Sequence, residues 1–205
     1  MEPIVEQFMN IPTTCISDVV DGLNNMHPTI KPLKEEYRLA GRALTVKIPV
    51  GDNLVLLKAI REANPEDIIV IDAKGDQYRA IAGDFIVGMA QTLGVGGIVV
   101  DGVIRDIVDI KKLNFPVFAK GTSVAASGKT GIGEINVPIS CGGTAVNPGD
   151  IIVGDANGVV VIPQSEEQDI LKKTLEKMRK DEIREEAVAG NVEATKQYLD
   201  KMLSK

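Results

Sequence analysis

Two short stretches of this 205-residue chain hold the residue types that could do chemistry. In Ala82-Gly83-Asp84-Phe85-Ile86 a glycine leads into the opening turn of a helix, where unpaired backbone N–H groups and the positive end of the dipole can hold a small carboxylate. In Val100-Asp101-Gly102-Val103-Ile104-Arg105-Asp106 a strand runs into a Gly-containing turn and then presents an arginine beside an acid. Arg105 offers a planar fork to a carboxylate or enolate oxygen, and Asp106 a hard oxygen to a divalent cation. A plainer reading stands beside each: Asp84 and Asp106 both precede helices, so N-capping accounts for either, and Arg105 would serve as a surface ion-pair partner.

Other candidates are weaker. Gly94-Val95-Gly96-Gly97 precedes a strand instead of following one, so it is no dinucleotide fingerprint. His27 sits before Pro28 in a loop and reads as solvated. Cys15 and Cys141 lack the spacing and the histidines of a zinc site and read as buried small hydrophobes in a reducing compartment.

The elements that must position these residues follow from periodicity. Two short helical patterns broken by Pro12 fill residues 3–26, and residues 43–48 alternate as in a half-buried strand. Helices are predicted over 53–63, 85–93 and 107–113, and buried strands over 67–72, 97–101 and 116–119, which together make consecutive β-α-β units. After Gly121 short strands at 136–140, 144–146, 151–153 and 159–162 alternate with turns such as Asn147-Pro148-Gly149-Asp150. A charged helical tail runs from 164 to about 203, interrupted near Gly190-Asn191. The expectation is one α/β domain over 1–163 with 164–205 as its helical extension.

Composition narrows the function classes. The net charge of −6 argues against a nucleic-acid binder, as does an aromatic content of 3% with no Trp. The N-terminus lacks the charged and apolar regions of a signal peptide, and no apolar run reaches the ~18 residues of a membrane helix, so a cytoplasmic chain with no membrane partner is expected.

Asp84, twenty intervening residues and then Arg105-Asp106 resembles the D-x20-R-D signature of the family that includes 4-hydroxy-4-methyl-2-oxoglutarate aldolases and the regulator of ribonuclease activity A. The segments 38–46, Gly51-Asp52-Asn53, 97–102, 115–118, Pro148-Gly149-Asp150 and 158–163 resemble the family as well, so the likeness spans roughly residues 13–163. The resemblance implies a three-layer β/β/α domain of the swivelling type, in a homotrimer or homohexamer with active sites between subunits. It implies a divalent cation, Mg²⁺ or Mn²⁺, held by Asp106 and waters. Arg105 would lie on the keto oxygen and carboxylate side of pyruvate, and the amides of about Gly83, Asp84, Phe85 and Ile86 on its carboxylate.

The implied chemistry is metal-dependent aldol cleavage of a short 2-oxo acid, or decarboxylation of oxaloacetate, both through a pyruvate enolate. Asp84 would orient a water for proton transfer. A glutamate from a neighbouring subunit's C-terminal helix is also implied, with Glu182 chosen and Asp181 and Glu185 as rivals; Asp109 either hydrogen-bonds metal waters or faces solvent. The distal carboxylate of an aldolase substrate would need cations, for which Arg42, Lys47, Arg79 and Lys120 are candidates. The family's regulator branch, which binds an endoribonuclease, lacks the first aspartate that this chain keeps as Asp84; a non-catalytic regulator is therefore the alternative. No glycine-rich motif after a first strand supports the methyltransferase label that some relatives carry.

Overall fold

The computed structural model describes residues 1–204. The chain opens with helices α1 (Pro3–Met9) and α2 (Thr13–Val19), a short strand β1 (Lys31–Pro32) and the long β2 (Leu39–Lys47). Next come α3 (Leu54–Glu62), β3 (Ile68–Asp76), β4 (Arg79–Ala80), α4 (Asp84–Thr92), β5 (Gly97–Ile104), α5 (Ile107–Leu113) and β6 (Val117–Thr122). The short strands β7 (Ala125–Ala126), β8 (Glu134–Ile135), β9 (Ile139–Cys141) and β10 (Thr144–Val146) lead to the hairpin β11 (Ile151–Asp155) and β12 (Gly158–Ile162). Helices α6 (Glu167–Val188) and α7 (Val192–Leu203) close the chain.

The main sheet has the order β1-β6-β5-β3-β2-β11-β12, with β8 paired to β2. Strands β2, β3, β5 and β6 are parallel and adjacent, so the chain steps three times in one direction across the sheet. Right-handed crossovers that all step the same way put their helices on one face, and α3, α4 and α5 cover that face. Alternate residues of the strands separate the two sides. Leu44, Val46, Ile69, Ile71, Ile98, Val100 and Val117 point to these helices, while Ala43, Ile68, Val70, Val99 and Phe118 point the other way. There the β9–β10 hairpin supplies Ile139, Cys141 and Val146 to a second core. Helices α1, α2 and α6 pack on the helical side of β11 and β12 through Phe8, Ile16, Ile170 and Leu171. The result is three layers: helices, main sheet, small β layer.

The sequence pattern needs four amendments. Both faces of β2 are covered, so it is buried almost throughout and not half-buried; Thr45 is buried with its hydroxyl donating to Val137 O at 2.7 Å. Strand β5 does not end at Asp101 but continues through Gly102 to Ile104, so Gly102 lies in the strand and the turn starts at Arg105. Instead of one strand over 136–140, the chain forms β8 and β9. Cys141 is buried as expected, whereas Cys15 is partly exposed. Among the described residues no helix is long and apolar enough to cross a membrane.

Candidate active site

The twenty residues between Asp84 and Arg105 are one helix out and one strand back: α4, a turn at Gly94, and β5. The two ends of that unit therefore meet at the C-terminal edge of the parallel strands, where α/β sheets hold ligands. Backbone hydrogen bonds fasten them, from Ile81 N to Val103 O and from Arg105 N to Ala82 O, each 2.9 Å. The signature's spacing is the contour length of this excursion.

Neither aspartate side chain caps a helix. Asp84 is the first residue of α4 and the capping position belongs to Gly83, which has no side chain to occupy the free amides. Asp106 does stand at the cap of α5, yet in the left-handed region (φ 57°, ψ 37°) and without a side-chain capping bond. A non-glycine residue held there costs of order 1 kcal/mol or more, a kind of strain that collects at functional sites. Its carboxylate lies 3.3 Å from Arg105 Nε, both side chains part-exposed. Gly83 is needed for close approach: a Cβ there would overlap Asp106 Oδ2 and sit 3.2 Å from Arg105 Nε.

Asp84, Arg105 and Asp106 open on a cavity of about 310 Å³ that also takes in Gly83, Phe85 and Ile86. Its far wall is one that sequence reasoning misses: Asn53, Ala80, Ala126, Ser127 and Lys129. Asp52 builds this wall. Its buried carboxylate accepts from Leu54 N (3.0 Å), Thr130 Oγ1 (2.5 Å), Thr130 N and Gly131 N, while Gly128 N donates to Gly51 O at 2.7 Å and Asn53 N to Gly128 O at 3.1 Å. Burial opposes the charge on Asp52, but these donors outweigh it and hold the carboxyl below its ordinary range. Strand β7 pairs with β4 and Ser127 Oγ donates to Ala80 O at 2.9 Å, closing the roof. The signal in the sequence was the glycine-rich run 128–133, which reads only as a loop.

The remaining candidates lie elsewhere. Asp109 faces solvent and pairs with Lys112 at 2.7 Å. Glu182 is on the exposed half of α6, in a groove with Cys15, Met178 and Glu185, outside the cavity of its own chain; Asp181 is engaged by Lys177 and Arg184. Of the candidate cations for a distal carboxylate, Arg42 is clamped between Glu2 and Glu167, Lys47 pairs with Glu134 and Lys120 with Asp101, so none faces the cavity. Arg79 reaches toward Ala126 O at 3.5 Å.

For a divalent cation the donor set is narrow. Among the described residues no group of three His, Cys, Asp or Glu converges, so one chain offers the carboxylate of Asp106, part-exposed with Oδ2 against Arg105 Nε, in a cradle that a Cβ at position 83 would fill. That fits a cation bound by one carboxylate and otherwise by water.

Fold and site together define an α/β protein with an arginine–carboxylate pair facing the free amides of a helix. The Aldolase/RraA family model, described as RraA-like, matches residues 13–161, and the chain belongs to that family. A protein of Halalkalibacterium halodurans provisionally named a 4-hydroxy-4-methyl-2-oxoglutarate aldolase is 60% identical over 199 residues, covering 97% of this chain and 95% of that one. An uncharacterized protein of Pseudomonas syringae pv. tomato has a similar structure, with TM-score 0.83 at 26% identity over 97% of this chain and 95% of its own. The RNA-processing inhibitor RraA of Thermus thermophilus gives TM-score 0.69 at 27% identity, over 76% of this chain and 94% of its own.

Proposed function

We propose that the protein is a lyase that cleaves a short 2-oxo acid through a pyruvate enolate, with Mg²⁺ or Mn²⁺ as its cofactor. The observation that carries this reading is the convergence of Arg105, Asp106 and the uncapped amides of α4 on one cavity, with neither aspartate spent on capping. The substrate carboxylate lies on the N–H groups of Asp84 to Ile86, and the Arg105 guanidinium on the C2 oxygen. When the C3–C4 bond breaks, its electron pair spreads from C3 to that oxygen, so Arg105 meets charge where it develops. Asp106 would hold the cation, which would supply further positive charge to stabilise the enolate. In an aldol cleavage the C4 hydroxyl proton leaves to water oriented by Asp84, and a proton returns to C3 to give pyruvate. In a decarboxylation CO2 departs and only the return at C3 is needed.

The same reading makes the protein a homotrimer or homohexamer with sites between subunits and a partner acid, Glu182, reaching the cation's waters. Its support is the apolar surface beside the site: Phe85 is 76% exposed and Val124 97%, and an apolar groove lined by Leu57, Ile60, Met89 and Leu93 runs along α3 and α4. The likeness to an RNA-processing inhibitor supports a second reading, a non-catalytic binder on the same frame.

The test is pyruvate release from oxaloacetate and from 4-hydroxy-4-methyl-2-oxoglutarate with Mg²⁺, with Mn²⁺ and with EDTA. Release that needs metal and falls by ~10³ or more in Asp106→Ala and Arg105→Ala is expected. Undiminished release in EDTA or in either variant overturns the mechanism, and no release from either substrate favours the binder.

A further inference from the structure

Where the main sheet approaches the site, its ladder breaks. Strand β5 pairs residue for residue with β3 and β6 up to Val100, and then Asp101 has no partner on either side. Toward β3, Ile71 pairs with Val100 and Asp76 with Gly102, so residues 72–75 stand opposite Asp101 alone. Toward β6, Val100 pairs with Ala119 and Val103 with Gly121, so Lys120 stands opposite both Asp101 and Gly102. Side chains bridge the break. The Asp101 carboxylate forms an ion pair with the Lys120 ammonium; Asp101 is 8% exposed, and its Oδ1 takes no hydrogen bond from any other described residue. On β3 the Asp72 carboxylate accepts from Lys74 N at 3.0 Å and pairs with Lys74 Nζ at 2.5 Å, where Lys74 and Gly75 are both left-handed (φ 60° and 69°). A Cβ at Gly75 would come within 3.2 Å of Lys120 Nζ, so the glycine leaves room for the ammonium. From the small β layer Cys141 fills the gap, its thiol donating to Ile71 O at 3.7 Å; burial, with Asp101 and Asp72 near, keeps that thiol protonated.

Beyond the break β5 runs only through Gly102, Val103 and Ile104 before it delivers Arg105 and Asp106. A bulge bends its strand and increases the local twist, so the direction in which these residues leave depends on how the break is held. Arg105 stands ~13 Å along the chain from Asp101, and a tilt of roughly 10° at Asp101 would move it by about 2 Å. Displacement of a reacting group by ~1 Å can cost on the order of 10²-fold in rate. Resting on the lyase reading, we infer that the Asp101–Lys120 pair is a positioning element for that chemistry: it fixes the course of β5 across the break and so the places of the Arg105 guanidinium and the Asp106 carboxylate. Neither residue lines the cavity, so both act through the strand. A buried ion pair adds little net stability, because desolvation offsets its Coulomb attraction, but it is satisfied in one arrangement only. The ladder supplies no such constraint at Asp101. Asp106 depends on it, since a left-handed residue other than glycine persists only where its surroundings over-determine it.

The variant that separates positioning from stability is the neutral double replacement Asp101→Asn with Lys120→Met, which removes both buried charges and leaves neither unpaired. In the whole protein its melting temperature should stay within about 4 °C of the native value. Amide hydrogen exchange reads the strand end directly, because Ile81 N donates to Val103 O and Arg105 N to Ala82 O. Exchange at these two amides should quicken at least ~10-fold, while Ile98 N, which donates to Pro116 O before the break, exchanges as in the native protein. Pyruvate release from oxaloacetate or 4-hydroxy-4-methyl-2-oxoglutarate with Mg²⁺ should fall ~10²-fold in kcat with KM changed less than about threefold, since Arg105 meets charge that develops in the transition state. Lys120→Arg keeps the pair and should hold kcat and both exchange rates within about threefold of native. Unchanged exchange and kcat in the double variant overturn the inference. Loss of protection throughout the sheet, or failure to fold, assigns the pair to stability and overturns it too, as does a Lys120→Arg protein as impaired as the double variant. A native protein that releases no pyruvate discards the lyase reading, and exchange at Ile81 and Arg105 then decides by itself whether the pair positions the strand end.

Discussion

Gly83 is the smallest residue at the site and the one whose replacement is most informative. Its own backbone is ordinary extended chain (φ −123°, ψ −174°), so alanine costs nothing in conformation. The clash is with the Asp106 carboxylate and the Arg105 guanidinium, two part-exposed groups able to move aside. Gly83→Ala should therefore keep its melting temperature within about 2 °C while pyruvate release drops ~10²-fold or more through displacement of the pair. A large fall in Tm with activity per folded molecule retained would show instead that Gly83 serves packing. The aspartates illustrate what a sequence leaves open at this scale. Capping and catalysis ask for the same residue type before a helix, and only the Gly83 cap and the left-handed Asp106 separate the two.

At the scale of elements, most of the architecture was legible. Alternation and 3.6-residue periodicity placed α3 to α5, β3, β5 and β6, and the break at Gly190-Asn191 falls between α6 and α7 as expected. What periodicity misses is whatever neighbours decide. The extra strand length of β5 comes from pairing with β6 and β3 beyond a register shift, and the covering of β2 comes from layers contributed by distant segments. The far wall of the cavity escaped for the same reason: Asn53 and Lys129 are 76 residues apart and are brought together by the Asp52 hub and the backbone bonds of Gly128 to Gly51 and Asn53. A second hub, Asp155 at the end of β11, shows how such carboxylates hold elements together. It accepts from Thr13 N (2.9 Å), Thr13 Oγ1 (2.7 Å) and Asn157 N (2.8 Å), tying α2 to the β11–β12 turn. Burial works against its charge, but these bonds prevail and leave the carboxyl below its ordinary value of 3.8. A depressed carboxyl stabilises the fold fully above that value, and the contribution is lost as pH falls through the lower folded value. Asp155→Asn should therefore melt about 4–8 °C lower at pH 7, a loss of ~2 kcal/mol, and show a shallower decline than the native protein below pH 4. Parallel acid limbs for the two proteins would remove Asp155 from the account.

For the whole molecule, the distribution of apolar surface matters most. Helix α7 buries no residue and the outer half of α6 is exposed, while the groove along α3 and α4 leaves Leu93 half-exposed. If that groove is a subunit contact, a charge placed in it should dissociate the assembly. The native protein is expected to sediment at three or six times its 22.0 kDa chain mass, and Leu93→Asp at one. A native monomer, or an assembly indifferent to Leu93→Asp, would put the contact elsewhere.

The excursion from Asp84 to Arg105 begins and ends at the same place, held there by hydrogen bonds between Ile81, Ala82, Val103 and Arg105 and not by the chain that joins them. Continuity of the polypeptide across the exposed turn at Gly94 is thus dispensable to the site. New termini opened at Gly94, with the old ones linked, would leave Asp84 and Arg105 on opposite ends of the gene and side by side in the protein. The spacing that identifies the family in sequence would vanish, and the pocket it marks would remain.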